Sequence, residues 1–355
     1  MRHLRFSHFQ KIYIMKFLKK NNKKNSNKEK MVNVSEAANV ASVHANASHQ
    51  KKRCSIVITA YNVETYIEQA VISALAQSEP CQVIVVEDKS TDHTMEVLER
   101  FGDRIILVKN DVNVGAGLSR RRGIERADSE FVMLLDGDDY IEPNFVETLL
   151  LMADQTGADI VSGGIRILRE DGSWDATSYG NCVTDGRDKV SKFWGERIVF
   201  MNNKIIRKEL CDRVPYNERR YIEDTPTIIP MLHYANKVAY VDTVGYTYRM
   251  RSSSLTHTTN ALKDIVFKGL CWLDLLEFFN REDKGIFEVL NIKGFLRNIV
   301  SVLNQLNVTE EMVQPYKKEW DEFTMRLLNA VVITGVNLVE GVKGQQQTST
   351  DASAQ

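Results

Sequence analysis

Short apolar blocks alternate with longer amphipathic stretches along residues 54–163, and this pattern predicts the secondary structure of the first half of the chain. The blocks hold consecutive Ile, Val, Leu and Phe residues, which is typical of strands buried on both faces. The predicted strands are residues 54–60, 83–87, 105–108, 131–135 and 160–163.

Between these blocks, apolar residues recur at the spacing of one helix face. Asn62 is placed to cap the first helix, and Gly102 and Gly157 stand where glycine often ends a helix. Strands separated by helices usually pair in parallel, so the sequence predicts an α/β fold with a doubly wound, mostly parallel sheet flanked by helices. The predicted helices are residues 63–75, 94–101, 118–127 and 144–156.

The strand at residues 131–135 ends abruptly in Asp136-Gly137-Asp138-Asp139. Three carboxylates this close repel one another and cannot join a core unpaired. Oxygen-only ligands suit Mg²⁺ or Mn²⁺, so one interpretation is a divalent cation site in which Gly137 allows a tight turn. The other interpretation is a polar turn that opens the next helix, with Pro143 at its first position.

Two further strands end in polar loops, at residues 59–62 and 87–92. Parallel strands bring their carboxyl ends to one edge of a sheet, where open α/β folds bind ligands. Three polar loops on the same edge therefore indicate a ligand site more strongly than any one of them.

Composition and charge narrow the classes of function. The chain has 46 Lys and Arg against 47 Asp and Glu, so no global basic field indicates a nucleic-acid partner. Five cysteines are scattered singly, fit no zinc spacing and suggest a reducing compartment. No apolar run in the sequence is long enough to cross a bilayer, and we expect a cytoplasmic protein.

The two ends of the chain differ from its centre. Residues 1–50 read as a disordered basic arm, which either contacts an anionic membrane surface or has no function, and residues 343–355 read as a disordered tail. Residues 259–342 predict a helical extension whose apolar faces pack in a core, with dimerisation or membrane docking as the alternative. Its predicted helices are residues 265–279, 287–306 and 311–339.

Residues 54–258 resemble the inverting family 2 glycosyltransferases of the GT-A fold, and we place the catalytic domain at residues 51–258. The resemblance is carried, in order, by SIVITAYNVETYIEQAVISALAQ, VIVVEDKSTDHT, NVGAGLSRRRGIERADSEFVMLLDGDDY and YIEDTPTIIPMLHYANKVAYVDTVGYTYRMRSSSLT.

The resemblance implies a site for a UDP-sugar. Asp138 matches the last acid of the family's Asp-x-Asp motif and is expected to ligate the metal on the diphosphate, while Asp136 is expected to hold the ribose or a metal-bound water. Asp88 matches the acid that accepts a hydrogen bond from the uracil N–H. Thr59 and Tyr61 match positions that line the base pocket, although Tyr61 could instead pack beneath its loop.

For two further residues, Asp139 and Arg120, the sequence supports two alternative roles each. Asp139 either supports one of the neighbouring acids or caps the next helix. Arg120 matches a basic residue near the nucleotide, but Arg121 replaces the Asn that usually follows it, and arginines on helices are usually solvated.

Glycosyl transfer with inversion needs one general base. Glu223 and Asp224 match the family's Glu-Asp motif, whose Asp is the base, although Asp224 before Thr225-Pro226 also suits a helix start. His257 matches a segment that closes over the donor phosphates and is a candidate third metal ligand.

The resulting hypothesis is an inverting, metal-dependent transfer of sugar from a UDP-sugar to a saccharide or lipid-linked acceptor, in bacterial surface-polysaccharide synthesis. Alternatives are a sugar-nucleotide pyrophosphorylase, a haloacid-type phosphatase and an inactive sugar-nucleotide-binding protein. Residues 170–204 are expected to contact the acceptor, with Trp174, Tyr179 and Trp194 as stacking platforms.

Overall fold

The computed structural model describes residues 51–178, 180–186, 188–195, 200–216, 224–251 and 260–336, without the side chains of 193–195. The predicted arm at residues 1–50 and tail at residues 343–355 therefore lie outside the described residues. The chain divides into two compact units, Met1–His257 and Thr258–Gln355.

The first unit contains a mixed sheet with helices along it. Its strands are β1 (Cys54–Ala60), β2 (Gln82–Glu87), β3 (Ile106–Lys109), β4 (Phe131–Asp136), β5 (Tyr140–Ile141), β6 (Ile160–Leu168), β7 (Trp174–Thr177), β8 (Cys182–Asp185), β9 (Lys204–Arg207) and β10 (Lys237–Arg249). Its helices are α1 (Ile67–Leu75), α2 (Thr94–Glu99), α3 (Ala116–Arg126), α4 (Phe145–Thr156), α5 (Asp188–Gly195), α6 (Lys208–Arg213) and α7 (Asp224–Tyr234).

The strand order is β3-β2-β1-β4-β9-β6-β10-β5, with β7 beside β6 and β8 beside β10. Strands β3, β2, β1 and β4 are parallel, which confirms the predicted doubly wound architecture. Strand β9 is antiparallel to both β4 and β6 and lies between them. No strand was predicted there, and the region expected to form variable loops, residues 170–204, ends where β9 begins.

Alternate side chains of β1 reach the two faces of the sheet. Ile56 and Ile58 belong to the core that includes Ile67 at the start of α1. Val57 faces α3 instead, and a Cβ on Gly123 would lie 2.2 Å from its Cγ1 atom. Burial on both faces explains why this strand reads as a continuous apolar run.

The second unit is helical, as predicted, but two of its three predicted helices are interrupted. The predicted helix 287–306 is interrupted at Asn291, which has a left-handed backbone (φ 51°). The predicted helix 311–339 is interrupted by a 3₁₀ turn that contains Pro315, a residue without the N–H that a helix interior requires. The observed helices are α8 (Ala261–Glu282), α9 (Ile286–Val289), α10 (Ile292–Leu306), α11 (Glu310–Val313) and α12 (Lys317–Thr334).

Helix α8 supplies much of the core of this unit, since Leu270, Leu273, Leu276 and Phe279 are all buried. Across the described part of the chain, no helix combines the length and the apolar character needed to span a bilayer.

Candidate active site

The three polar loops meet at one edge of the sheet, as predicted. Thr59 on β1 lies opposite Asp136 on β4, and Ala60 lies opposite Glu87 on β2. Backbone hydrogen bonds join the loops directly, because Asp88 N donates to Ala60 O over 2.9 Å. The carboxyl ends of β1, β2 and β4 therefore form one surface.

Two segments of the chain approach each other closely at this edge, and this approach requires a glycine at position 137. A Cβ there would lie 2.7 Å from the Thr59 carbonyl oxygen, to which Gly137 N donates over 3.0 Å. Any side chain would separate the acidic turn from β1. From the sequence, Gly137 was expected to allow a tight turn. In the structure, a glycine is required because the acidic turn packs closely against β1.

Arg120 on α3 bridges two of the predicted functional acids. Its Nη2 atom is 2.9 Å from Asp136 Oδ1 and its Nη1 atom is 2.6 Å from Asp224 Oδ1. The Arg120 side chain is only 9% exposed, so the interpretation as a solvated helix arginine is wrong. One buried guanidinium thus brings together two carboxylates that lie far apart in the sequence.

Asp224 is the first residue of α7, as the sequence suggested. Its Oδ2 atom accepts a hydrogen bond from Met201 N over 3.3 Å, so both of its oxygens contact groups outside its own helix. Its neighbour Glu223, the other predicted catalytic acid, lies outside the described residues.

Asp138 lies beside Arg251, whose Nη2 atom is 2.5 Å from Asp138 Oδ2. Burial raises the pKa of the Asp138 carboxyl, the negative charge of Asp136 raises it further, and Arg251 opposes both effects. A bound cation would relieve the repulsion between these two carboxylates. The candidate ligand His257 lies outside the described residues.

Asp139 has a structural role that the sequence did not indicate. It is fully buried, and its oxygens accept hydrogen bonds from Tyr246 Oη over 2.6 Å and Arg249 N over 2.8 Å. Burial, with the charges of Asp138 and Asp136, raises its pKa well above the usual range. Asp139 therefore ties the acidic turn to β10. It does not cap α4, whose N-cap is Asn144.

Asn202 and Tyr246 are site residues that the sequence reasoning missed. Asn202 Nδ2 is 3.3 Å from Asp136 Oδ2 and 3.1 Å from Tyr246 Oη. Tyr246 Oη also lies 3.4 Å from Asp136 N. Tyr246 falls within the resemblance, whereas Asn202 lies in residues 170–204, which were expected only to contact the acceptor, and no local pattern marks it as a partner of Asp136.

Asp88 is buried and held by three donors. Its Oδ1 atom accepts from Asn110 Nδ2 and Val114 N, and its Oδ2 atom accepts from Gly115 N, each over 2.8 Å. Asn110 in turn accepts a hydrogen bond from Arg122. An ionised carboxylate offers about four acceptor positions, so one position on Oδ2 remains.

The base-pocket candidates differ in exposure. Tyr61 is 47% exposed, so about half of its side-chain surface is open to a ligand, while Thr59 is partly buried. Asn62 does not cap α1, which begins at Ile67. Its Oδ1 atom instead accepts from Thr91 N over 2.8 Å, joining the loops after β1 and β2.

Two further residues named in the sequence analysis, Arg121 and Trp174, contact other side chains at the surface. Arg121, which replaces the family's usual Asn, pairs with Glu125 at 2.8 Å. Trp174 on β7 is exposed, and the Arg166 guanidinium lies 5.1 Å from its ring centroid. The other predicted platforms, Tyr179 and the Trp194 side chain, lie outside the described residues.

Within the described ranges, no group of three or more His, Cys, Asp or Glu side chains could hold a metal by itself. Mg²⁺ is usually bound by one or two carboxylates together with substrate phosphates, so Asp136 and Asp138 fit such an ion.

Comparison with known proteins identifies the family. Residues 55–215 match the family model "Glycosyl transferase family 2". Glycosyltransferase GlyG of Streptococcus pneumoniae is 28% identical over 219 residues, covering 58% of this chain and 73% of GlyG. EpsH of Bacillus subtilis, assigned to the glycosyltransferases, is 29% identical over 245 residues, covering 66% of this chain and 71% of EpsH.

The fold is similar to the crystal structure of residues 1–349 of Staphylococcus aureus TarS, with a TM-score of 0.56 and 21% identity, over 79% of this chain and 81% of that one. The matched residues 55–215 include the three polar loops that meet at one edge of the sheet. Residues 55–215 therefore form a family 2 glycosyltransferase domain of the GT-A fold, and the chain is a glycosyltransferase.

Proposed function

We propose that this glycosyltransferase is inverting and depends on a divalent metal, moving a sugar from a UDP-sugar to a hydroxyl of a saccharide or lipid-linked acceptor. The observation that carries the proposal is the Arg120 bridge, which places Asp136 and Asp224 at one edge of the sheet. A donor-binding acid and a general base must lie that close for a single displacement.

The uracil ring is assigned to the loops after β1 and β2. The remaining acceptor position on Asp88 Oδ2 suits the ring N–H, and the exposed ring of Tyr61 is available for stacking. Thr59 lies at the end of β1 beside them. A structure of similar fold, TarS with UDP-GlcNAc, supports a UDP-sugar as the class of donor.

The diphosphate is assigned to the acidic turn and to the two arginines at the end of β10, Arg249 and Arg251. Asp136 and Asp138 would hold Mg²⁺ or Mn²⁺, which when bound neutralises charge that develops on the leaving diphosphate. Arg251 Nη2 lies 2.5 Å from Asp138 Oδ2, and the Arg249 guanidinium lies 5.0 Å from the ring centroid of Tyr140, the residue after the turn, so two positive charges lie beside the turn. Both charges can stabilise the anionic leaving group.

Asp224 is assigned as the general base. Its Oδ1 atom is fixed by Arg120, and its Oδ2 atom, with a longer bond from Met201 N, is the one to which we assign the proton. The acceptor oxygen bonds to the anomeric carbon as the bond from that carbon to the UDP oxygen breaks. The hydroxyl proton passes to Asp224, and the configuration at the anomeric carbon inverts.

The acceptor class follows from relatives rather than from the site. TarS of Staphylococcus aureus, a poly(ribitol-phosphate) β-N-acetylglucosaminyltransferase, is 29% identical over 113 residues, which cover 30% of this chain and 20% of TarS. This supports a surface polysaccharide, or its lipid-linked precursor, as the acceptor. We place the reaction at the cytoplasmic side of the membrane.

A panel of UDP-sugars tests the proposal through release of UDP, measured with Mn²⁺ and with a chelator. We expect at least one UDP-sugar to be hydrolysed in the presence of Mn²⁺, and the matching ADP- and GDP-sugars to be poor substrates. Turnover that is equal with and without metal would contradict the metal assignment. Binding of UDP without turnover of any donor, even with added saccharide acceptors, would indicate an inactive binding protein.

A further inference from the structure

Lys204 is a buried lysine at the first position of β9. Its exposure is 0%, and β9 is flanked by β4 and β6. A lysine is almost never fully buried unless its charge is satisfied, because moving an ammonium out of water is strongly unfavourable. The hydrogen-bond acceptors around its ammonium group therefore explain how a lysine is accommodated at this position.

Three oxygens surround the Lys204 ammonium. Its Nζ atom is 2.6 Å from Phe200 O, 2.7 Å from Asn202 O and 2.7 Å from Asn203 Oδ1. All three belong to the turn that immediately precedes β9, so the side chain folds back onto its own segment. The lysine acts as an internal cation for this turn.

The number of acceptors bears on the charge of Lys204. Burial lowers its pKa to about 7, and the Asp224 carboxylate opposes that shift. Three acceptors require three N–H donors, which only the ammonium form supplies. The three acceptors of the turn therefore favour the charged form over the neutral amine.

The same turn contacts both functional acids. Met201 N donates to Asp224 Oδ2 over 3.3 Å, and Asn202 Nδ2 donates to Asp136 Oδ2 over 3.3 Å. The turn is fixed on its other side by Asn203, which has a left-handed backbone (φ 59°) and donates to Gly163 O over 2.6 Å. Movement of this turn would break both bonds and, at Asp224, would release Oδ2, the oxygen to which we assign the proton.

We propose that Lys204 is a positioning residue for glycosyl transfer: it fixes the turn at residues 200–203 so that Met201 holds Asp224 in the orientation needed for proton transfer. The inference rests on the proposed role of Asp224 as the base. Lys204 is fully buried, and in this proposal it acts through the turn rather than on the substrate.

Lys204→Met tests this, because it keeps the length and apolar body of the side chain and removes the ammonium. We expect kcat for UDP release to fall by at least about tenfold while the donor KM changes by less than about threefold, since misplacement of a catalytic group acts on chemistry. Lys189→Met is the matched control, because Lys189 is also buried and its pKa is also lowered by burial, but it lies on α5. We expect that variant to turn over like the parent.

Chemical rescue separates positioning from general stability. Lys204→Ala removes the atoms of propylammonium, so added propylammonium should restore part of kcat, whereas tetramethylammonium, which has no N–H donor, should not. If both Lys204 variants fail to fold, hydrogen–deuterium exchange of the parent decides the matter. Slow exchange across residues 200–203 supports a fixed turn, and rapid exchange there overturns the proposal.

The two levels of the proposal fail differently. Parent-like kcat in folded Lys204→Met, with Asp224→Asn inactive, overturns the role of Lys204 alone. An active Asp224→Asn overturns the assignment of the base, and the inference fails with it. An equal loss in Lys204→Met and Lys189→Met would mean a general effect of removing buried lysines and would also overturn the inference.

Discussion

Asp224→Asn is the substitution that isolates the proposed base. Asparagine keeps the size of the side chain, and its carbonyl oxygen can still accept from Arg120 Nη1, which lies 2.6 Å from Asp224 Oδ1. The new amide group would then face Met201 N, which is a donor and now donates to Asp224 Oδ2. Loss of that hydrogen bond should lower the free energy of unfolding by about 1 kcal/mol.

The effect on catalysis should be larger than the effect on stability. A positioned base contributes on the order of 10²–10⁴-fold, so transfer should fall at least about a hundredfold, equivalent to about 2.7 kcal/mol of transition-state stabilisation. Affinity for the donor should stay near that of the parent, because loss of a base acts on chemistry rather than on binding.

The assay combines UDP release under saturating donor, calorimetry with UDP and a thermal melt on the same preparation. Asp154→Asn is the matched control, because this surface carboxylate pairs with Arg53 and lies on α4 rather than among the polar loops. We expect the control to turn over like the parent. Normal transfer by Asp224→Asn would place the base elsewhere, and a large fall in melting temperature with little change in kcat would leave Asp224 with only a structural role.

Three further substitutions test other parts of the structure. Asp88→Ala should weaken UDP binding by about 1–3 kcal/mol and reduce the preference for UDP over other nucleotides in competition calorimetry, and unchanged selectivity would remove Asp88 from the base pocket. Tyr246→Phe removes the donor to the buried Asp139, and urea unfolding should show a loss of about 1–3 kcal/mol; an unchanged midpoint would refute the importance of that contact. Arg326→Met removes the ion pairs of α12 with Asp274 on α8, so unfolding of the helical unit followed by tryptophan fluorescence should shift by about 1 kcal/mol, and no shift would show that these pairs are solvent-screened.

The parallel part of the fold was predictable because each of its strands carries a local signal. Apolar runs such as residues 54–60 and 131–135 are buried on both faces, and the polar residues that follow them mark the sheet edge. Side-chain periodicity and the rule for parallel strands together therefore located the site. The family resemblance added the roles of particular residues.

The remaining features depend on contacts between distant segments, which no local pattern records. Arg120 looks like any helix arginine in the sequence, and its burial follows from acids on β4 and α7. Lys204 looks like a surface lysine, but β9 inserts between β4 and β6 and encloses it. Asn62 fits a helix cap locally, yet its side chain accepts from Thr91 instead.

Calorimetry of UDP binding, with and without Mn²⁺, tests the central claim most directly, namely that the acidic turn holds a metal on the diphosphate of a UDP-sugar. The parent and Asp138→Asn are compared, with Asp154→Asn as the control. We predict that Mn²⁺ tightens UDP binding to the parent and the control, and that Asp138→Asn loses this metal-dependent gain while keeping its melting temperature. Equal metal-dependent affinity in the parent and in Asp138→Asn would contradict the account.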